Sequence, residues 1–288
     1  MQSFRWAWRN RLIEAAYEVL GSGAPVLLLP AFSTVSSREE MRPLASGLAL
    51  SGFACTLVDW PGFGSSTRGR LDYSPDCYLR FLGDFAAATM PIGAAVIAAG
   101  HASGYALRLG HERPGVWRRI ALLAPTWRGP LPTAMGPHPK IYAAVRTLVG
   151  APFVGEALYR VNTHPRVIAM MSGRHVYADA SRITPDFVAN KRAHARRPGA
   201  RFASVAFVTG ALDPFSDRPG FQALLAPPPA PVLILCGEST PPKSKAEMAA
   251  IPSSREVSVQ WVAGSLGLYE EEAESIFGTI AAFLNEND

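Results

Sequence analysis

The stretch Gly100-His101-Ala102-Ser103-Gly104 gathers small residues around one hydroxyl and one imidazole, where an apolar run gives way to helical periodicity. Such a turn suits nucleophilic catalysis, because small neighbours let strand and helix approach closely while one side chain stands clear of the backbone. The side chain at the centre of this turn is Ala102, and a methyl group attacks nothing. A shift of one residue puts Ser103 at the centre, but its flanking positions are then His101 and Tyr105, neither of them small. A base is also hard to find, since the last histidine in the chain is His194. His101 reads as a core histidine with a polar partner, the alternative being a catalytic base. Lys243 and Lys245 would serve a Ser–Lys pair only if desolvated enough to lose a proton. Flanked by Pro and Ser on a loop, they read as solvated. His111, His138, His164, His175 and His194 show no ligand spacing beside a carboxylate, so neither a metal nor another cofactor is expected.

Bulk composition narrows the class. The 288 residues are 48% hydrophobic and 18% charged, enough for one large core. No uncharged apolar run is long enough for a transmembrane helix, and Arg5, Arg9 and Arg11 break any signal-peptide core. The three cysteines, Cys55, Cys77 and Cys236, are widely spaced and odd in number, which fits a cytoplasmic compartment. Net charge is +5. Its strongest cluster, Lys191 to Arg201, lacks interleaved aromatics, so nucleic acid is not expected; it reads as a solvated helix face, with an acidic partner or membrane surface as the alternative.

The elements that must position these residues alternate between apolar runs and amphipathic stretches, the signature of a mostly parallel sheet flanked by helices. Phe4–Trp8 and Leu12–Val19 are expected as leading strands, followed by strands over Pro25–Pro30, Phe53–Trp60, Ala94–Ala99, Arg119–Pro125, Pro231–Gly237 and Val257–Val262. Helices are expected over Ser37–Leu50, Ser74–Ala88, Tyr105–His111, Ala203–Gly210 and Glu271–Leu284. Ser74-Pro75 supplies an N-cap followed by proline at the first helical position. Residues 128–198 have helical but no strand-like periodicity. They divide the chain into a core, 1–127 and 199–288, and an inserted helical cap.

In this order the motifs resemble the α/β-hydrolase fold family, in particular its small capped members, which include esterases, dehalogenases and C–C hydrolases. Gly100–Gly104 stands where that family has its G-x-S-x-G elbow. Asp59-Trp60-Pro61-Gly62-Phe63-Gly64 resembles its D-x-P-G-x-G turn, and Pro30-Ala31-Phe32 its H-G-F oxyanion loop. PVLILCGE and the terminal VAGSLGLYEE resemble its last two strands. The resemblance implies a nucleophile, an acid and a base at Ala102, Thr240 and Leu266, and none of these can serve. Ser103 is the fallback nucleophile, though in the family its position mainly lends a backbone N–H to the oxyanion hole, converging with that of Phe32. Ala31 replaces a glycine and Pro30 removes a donor.

What is left is a pocket, with Phe32, Ser33, Ala102, Ser103, Trp127, Thr240 and Leu266 expected to converge at the C-terminal strand ends. Tyr142, Phe153, Tyr159 and Tyr177 are expected from the cap. The expectation is a pseudo-hydrolase binding an apolar small molecule, or a protein partner through its cap. The competing expectations are a pocket packed shut, and an active hydrolase or lyase using Ser103 or unconventional chemistry.

Overall fold

The computed structural model describes residues 1–286. Eight strands form one sheet: β1 (Gln2–Trp8), β2 (Arg11–Leu20), β3 (Ala24–Leu29), β4 (Phe53–Val58), β5 (Ala94–Ala99), β6 (Trp117–Leu123), β7 (Val232–Gly237) and β8 (Val257–Val262). Their order is β1-β2-β4-β3-β5-β6-β7-β8, with β1 and β2 antiparallel to their neighbours and the rest parallel. The parallel strands are covered on both faces, which is why β5 (AAVIAA) and β7 (VLILCG) are buried throughout and read as continuous apolar runs. The edge strand β8 alternates more.

Helices α1 (Arg42–Leu50), α2 (Pro75–Thr89) and α3 (Ala102–Glu112) connect the early strands. Ser74 caps α2, its Oγ accepting from the Cys77 N–H with Pro75 in the first turn, as its sequence requires. Between β6 and β7 the chain makes only helices: α4 (Pro130–Met135), α5 (Pro139–Gly150), α6 (Val154–Asn162), α7 (Pro165–Met171), α8 (Pro185–Ala195), α9 (Ala200–Val208) and α10 (Arg218–Ala223). The first five lie within residues 128–198, the stretch expected as a helical cap. The fold closes with α11 (Pro242–Ala249), α12 (Leu268–Glu271) and α13 (Ala273–Asn285), the last packing against α1. Among the described residues no single helix is long and apolar enough to cross a membrane.

The turn after β4 is built around a buried ion pair. Asp59, with no exposed surface, accepts from the backbone N–H of Arg38 and of Ser65 and pairs with the Arg38 guanidinium. Gly64 is obligatory here, because a Cβ on it would lie 2.0 Å from the Asp59 carboxylate.

Candidate functional site

β5 ends at the C-terminal edge of the sheet, and the sharp turn falls on the next residue. Gly100 has φ +51, whereas His101 already has helical angles and Ala102 is the first residue of α3. Ala102, expected at the centre of the turn, lies two residues beyond it. A Cβ built on Gly100 would stand 3.0 Å from Ala31 Cβ and 3.6 Å from Thr126 Oγ1, so the space beside the turn is already filled. Ser103 is fully buried; its Oγ donates to the Ala98 carbonyl at 3.2 Å and its N–H to that of Gly100 at 3.2 Å. The fallback nucleophile is thus a helical side chain bonded back into its own strand, and its N–H is committed rather than offered to an oxyanion.

Thr240 follows β7 and is buried, its N–H donating to the Gly237 carbonyl at 3.2 Å. Its loop is stitched to the one after β8: Ser239 N–H donates to the Gly264 carbonyl at 2.9 Å, and Ser265 Oγ to the Ser239 carbonyl at 3.3 Å. Ser265, buried, is therefore the side chain after Gly264 that meets the Thr240 loop, whereas Leu266 is half-buried against the edge of the core. The cap closes over this corner, with Gly267 N–H donating to the Val176 carbonyl at 2.7 Å.

The seven residues expected to line a pocket are mostly packed. Phe32 lies among the rings of Trp60, Phe63, Tyr78, Tyr105 and Phe207, and Trp127 stacks on Phe221 with centroids 4.5 Å apart. Phe32, Ala102, Ser103, Trp127 and Thr240 are all buried; only Ser33 and Leu266 are half-exposed. Of the cap aromatics, Tyr142, Tyr159 and Tyr177 are buried, while Phe153 points to solvent. Five of the seven side chains are thus engaged in packing. The space found nearby is a cleft of about 20 Å³ lined by Thr126, Trp127, Arg128, Thr133 and Glu247, room for a water but not for a ligand. It adjoins a shallow groove of about 430 Å³ along Arg128, Met135, Lys243 and Glu247.

One polar cluster escaped the sequence reading. His101 Nε2 lies 2.8 Å from Asp213 Oδ1, and His101 Nδ1 lies 3.1 Å from Thr126 Oγ1. A carboxylate accepts, so Nε2 donates to Asp213; at Nδ1 a neutral ring accepts from the Thr126 hydroxyl and a protonated ring donates to it. Asp213 Oδ1 also accepts the Gly129 N–H at 2.8 Å. His101 is therefore a buried histidine with a polar partner at each ring nitrogen. Asp213 itself stands 112 positions away on a loop, with no local pattern to announce it.

The Lys191–Arg201 cluster is a solvated face only in part: Arg196 and Arg197 are exposed, whereas its first member is not. Lys191 on α8 is buried, its Nζ 2.7 Å from Glu40 Oε1 and 2.8 Å from Glu270 Oε2, and it clamps the cap to the core. Tyr177 donates to Glu270 and Tyr269 to Glu40. Burial pushes the Glu40 carboxyl up to about 7 against the pull of Lys191, with Glu270 adding to the rise. Burial acts to lower the Lys191 ammonium, but the two carboxylates outweigh it and raise it. Arg201 pairs with Glu156, and His194 with Glu39. Burial also drives all three free thiols up to about 12, which removes them as nucleophiles at neutral pH.

The model of the alpha/beta hydrolase family matches residues 26–273, and the chain belongs to that family. No curated protein matches it in sequence. Among solved structures it is similar to an esterase from Thermogutta terrifontis (19% identity, TM-score 0.71, covering 99% of this chain and 98% of the other). A bromoperoxidase from Bacillus anthracis is similar at 16% identity and TM-score 0.75, covering 99% and 100%. A haloalkane dehalogenase variant from Agrobacterium tumefaciens follows at 18% and 0.70, covering 99% and 97%. At such identities these structures share the fold with this chain, and the fold alone.

Proposed function

We propose that this protein is a non-catalytic member of its family, with a core of 1–127 and 199–288 and a cap of 128–198, working in the cytoplasm through its surface rather than through triad chemistry. The observation that carries this reading is the backbone at Gly100. A family nucleophile sits on the strained strand-to-helix turn, and the residue there is a glycine whose would-be side chain meets Ala31 and Thr126. The nucleophile position is thus Gly100 rather than Ala102. By the same argument the base position is Ser265 rather than Leu266, because Ser265 meets the loop of Thr240. Thr240 keeps the acid position. Losing nucleophile or base alone costs about a million-fold in kcat in a serine protease. With the pocket residues packed, binding falls to the exterior.

A second reading has one observation behind it. The Thr126–His101–Asp213 chain has the hydroxyl–imidazole–carboxylate order of a nucleophile, its base and the group that orients the base. Against it stands the size of the cleft beside Thr126, about 20 Å³.

Intact-mass analysis after fluorophosphonate treatment separates the two. No adduct is expected; a stoichiometric adduct on Thr126 would establish the second reading, and one on Ser103 would overturn both. The register has its own test. Gly100→Ser, Thr240→Asp and Ser265→His, combined with Ala31→Gly to clear the 3.0 Å contact, should produce measurable hydrolysis of a p-nitrophenyl ester. Placing Ser at 102, Asp at 240 and His at 266 should produce none, and the opposite ranking would restore the Ala102 register.

A further inference from the structure

The cap turns an apolar face to solvent. α5 packs its Tyr142 side inward and keeps Ile141, Ala144 and Leu148, one helical stripe, exposed. α6 buries Gly155 and Tyr159 and exposes Val154, Leu158 and Val161, again one stripe. The two helices meet at 103°, and at the bend stands Phe153, 88% exposed. Phe153 also has φ +56, a conformation an aromatic residue rarely adopts. The sequence accepts backbone strain and a ring in water at the same residue, and both costs are met if the ring is used outside the protein.

Charge is divided along the same boundary. Residues 128–198 contain eleven Lys/Arg against three Asp/Glu, a net of +8. The chain totals 28 and 23, which leaves 17 against 20, a net of −3, for the rest. Lys140, Arg160, Arg166 and Arg174 are exposed on the helices that carry the apolar face or follow it. An apolar stripe bordered by cations fits a surface that is greasy within and anionic at its rim. A second copy would bring two faces of +8 together, which disfavours self-association.

We infer that the α5–α6 face of the cap, with Phe153 at its apex, docks on the surface of an anionic lipid bilayer without crossing it. This assignment does not depend on whether the triad positions are silent.

The test is flotation of the full chain with phosphatidylcholine vesicles, with and without about 30% phosphatidylglycerol. The wild type should float with the anionic vesicles and be released by salt. Phe153→Asp should weaken binding about tenfold. Lys140→Glu with Arg166→Glu should weaken it about fivefold per charge. Phe153→Gly should lose a similar amount to Phe153→Asp while melting no lower than the wild type, because glycine relieves the φ +56 strain; this separates a lost contact from a lost fold. Failure of the wild type to float with anionic vesicles overturns the inference, as does undiminished binding by Phe153→Asp. A dimer in light scattering that Phe153→Asp disperses, or retention of polyglutamate equal to that of vesicles, assigns the face to a protein surface and overturns it too.

Discussion

Gly100, Thr240 and Ser265 stand at the C-terminal ends of β5, β7 and β8, and none of them is ionisable. Five positions past Ser265, Glu270 shares the Lys191 ammonium with Glu40, so three charged groups converge at the junction of cap and core. At the first three positions there is no charge, and rings and small residues pack around them, with His101 and Asp213 paired beside Gly100. The junction keeps a buried ammonium and two carboxylates, with Tyr177 and Tyr269 donating to them. The difference teaches where buried charge concentrates in this molecule: at the junction, where it holds two layers together. A buried charge survives only when its partners are fixed, and such groups are costly to break one at a time.

The sharpest way to break the comparison is to remove the cation. Lys191→Met leaves Glu40 and Glu270 facing each other without compensation, and removing one partner of a buried pair costs about 3–5 kcal/mol. Urea unfolding should show a loss of this size. A loss under about 1 kcal/mol would mean that the junction is wet and the pair no more than a surface bridge.

Acidity supplies the next test. Glu40 has a folded pKa of about 7, above the carboxylate value of 4.5. Between those values the folded state holds more protons than the unfolded one, so this group's contribution to stability is full below about 4.5 and is lost as pH rises through about 7. Glu18 and Glu247 act oppositely; burial works to raise them, but Arg42 and Arg38 on one and Arg218 and Arg128 on the other hold them low, so their contribution fades only in acid. From pH 5.5 to 8 the melting temperature should therefore fall, and Glu40→Gln should flatten that slope. A wild-type melting temperature that rises across the same window would show that Glu40 ionises normally.

Much of this was legible in the chain. Parallel strands covered on both faces must be apolar throughout, so β3, β5 and β7 announced themselves, and Ser74-Pro75 announced the start of α2. The strand-to-helix turn was legible, and the residue at its sharpest point was not. Ala98-x-Gly100-x-Ala102 and Gly100-x-Ala102-x-Gly104 both supply small residues around a centre, and only the backbone angle at Gly100 separates them. The turn after β8 hid its contacts likewise, since Gly264 is followed by two residues and only packing shows that Ser265 reaches the Ser239 carbonyl of the loop after β7. The clamp was illegible for a different reason. Lys191 lies 151 positions from Glu40 and 79 from Glu270, and a run of cations carries no record of what it pairs with.

The smallest effect belongs to the loop after β7. Thr240 Oγ1 is buried with no hydrogen-bond partner among the described residues. A buried hydroxyl without a partner pays desolvation and receives nothing for it. Thr240→Val keeps the β-branched shape and removes that atom, so it should stabilise the protein by about 1 kcal/mol, a rise of about 2 °C in melting temperature. The same logic applied to Thr209, whose hydroxyl donates to the Val205 carbonyl at 2.6 Å, predicts a loss on the same substitution. If Thr240→Val instead destabilises, its hydroxyl is satisfied by a trapped water, and the loop after β7 holds polar solvent beneath the turn at Gly264.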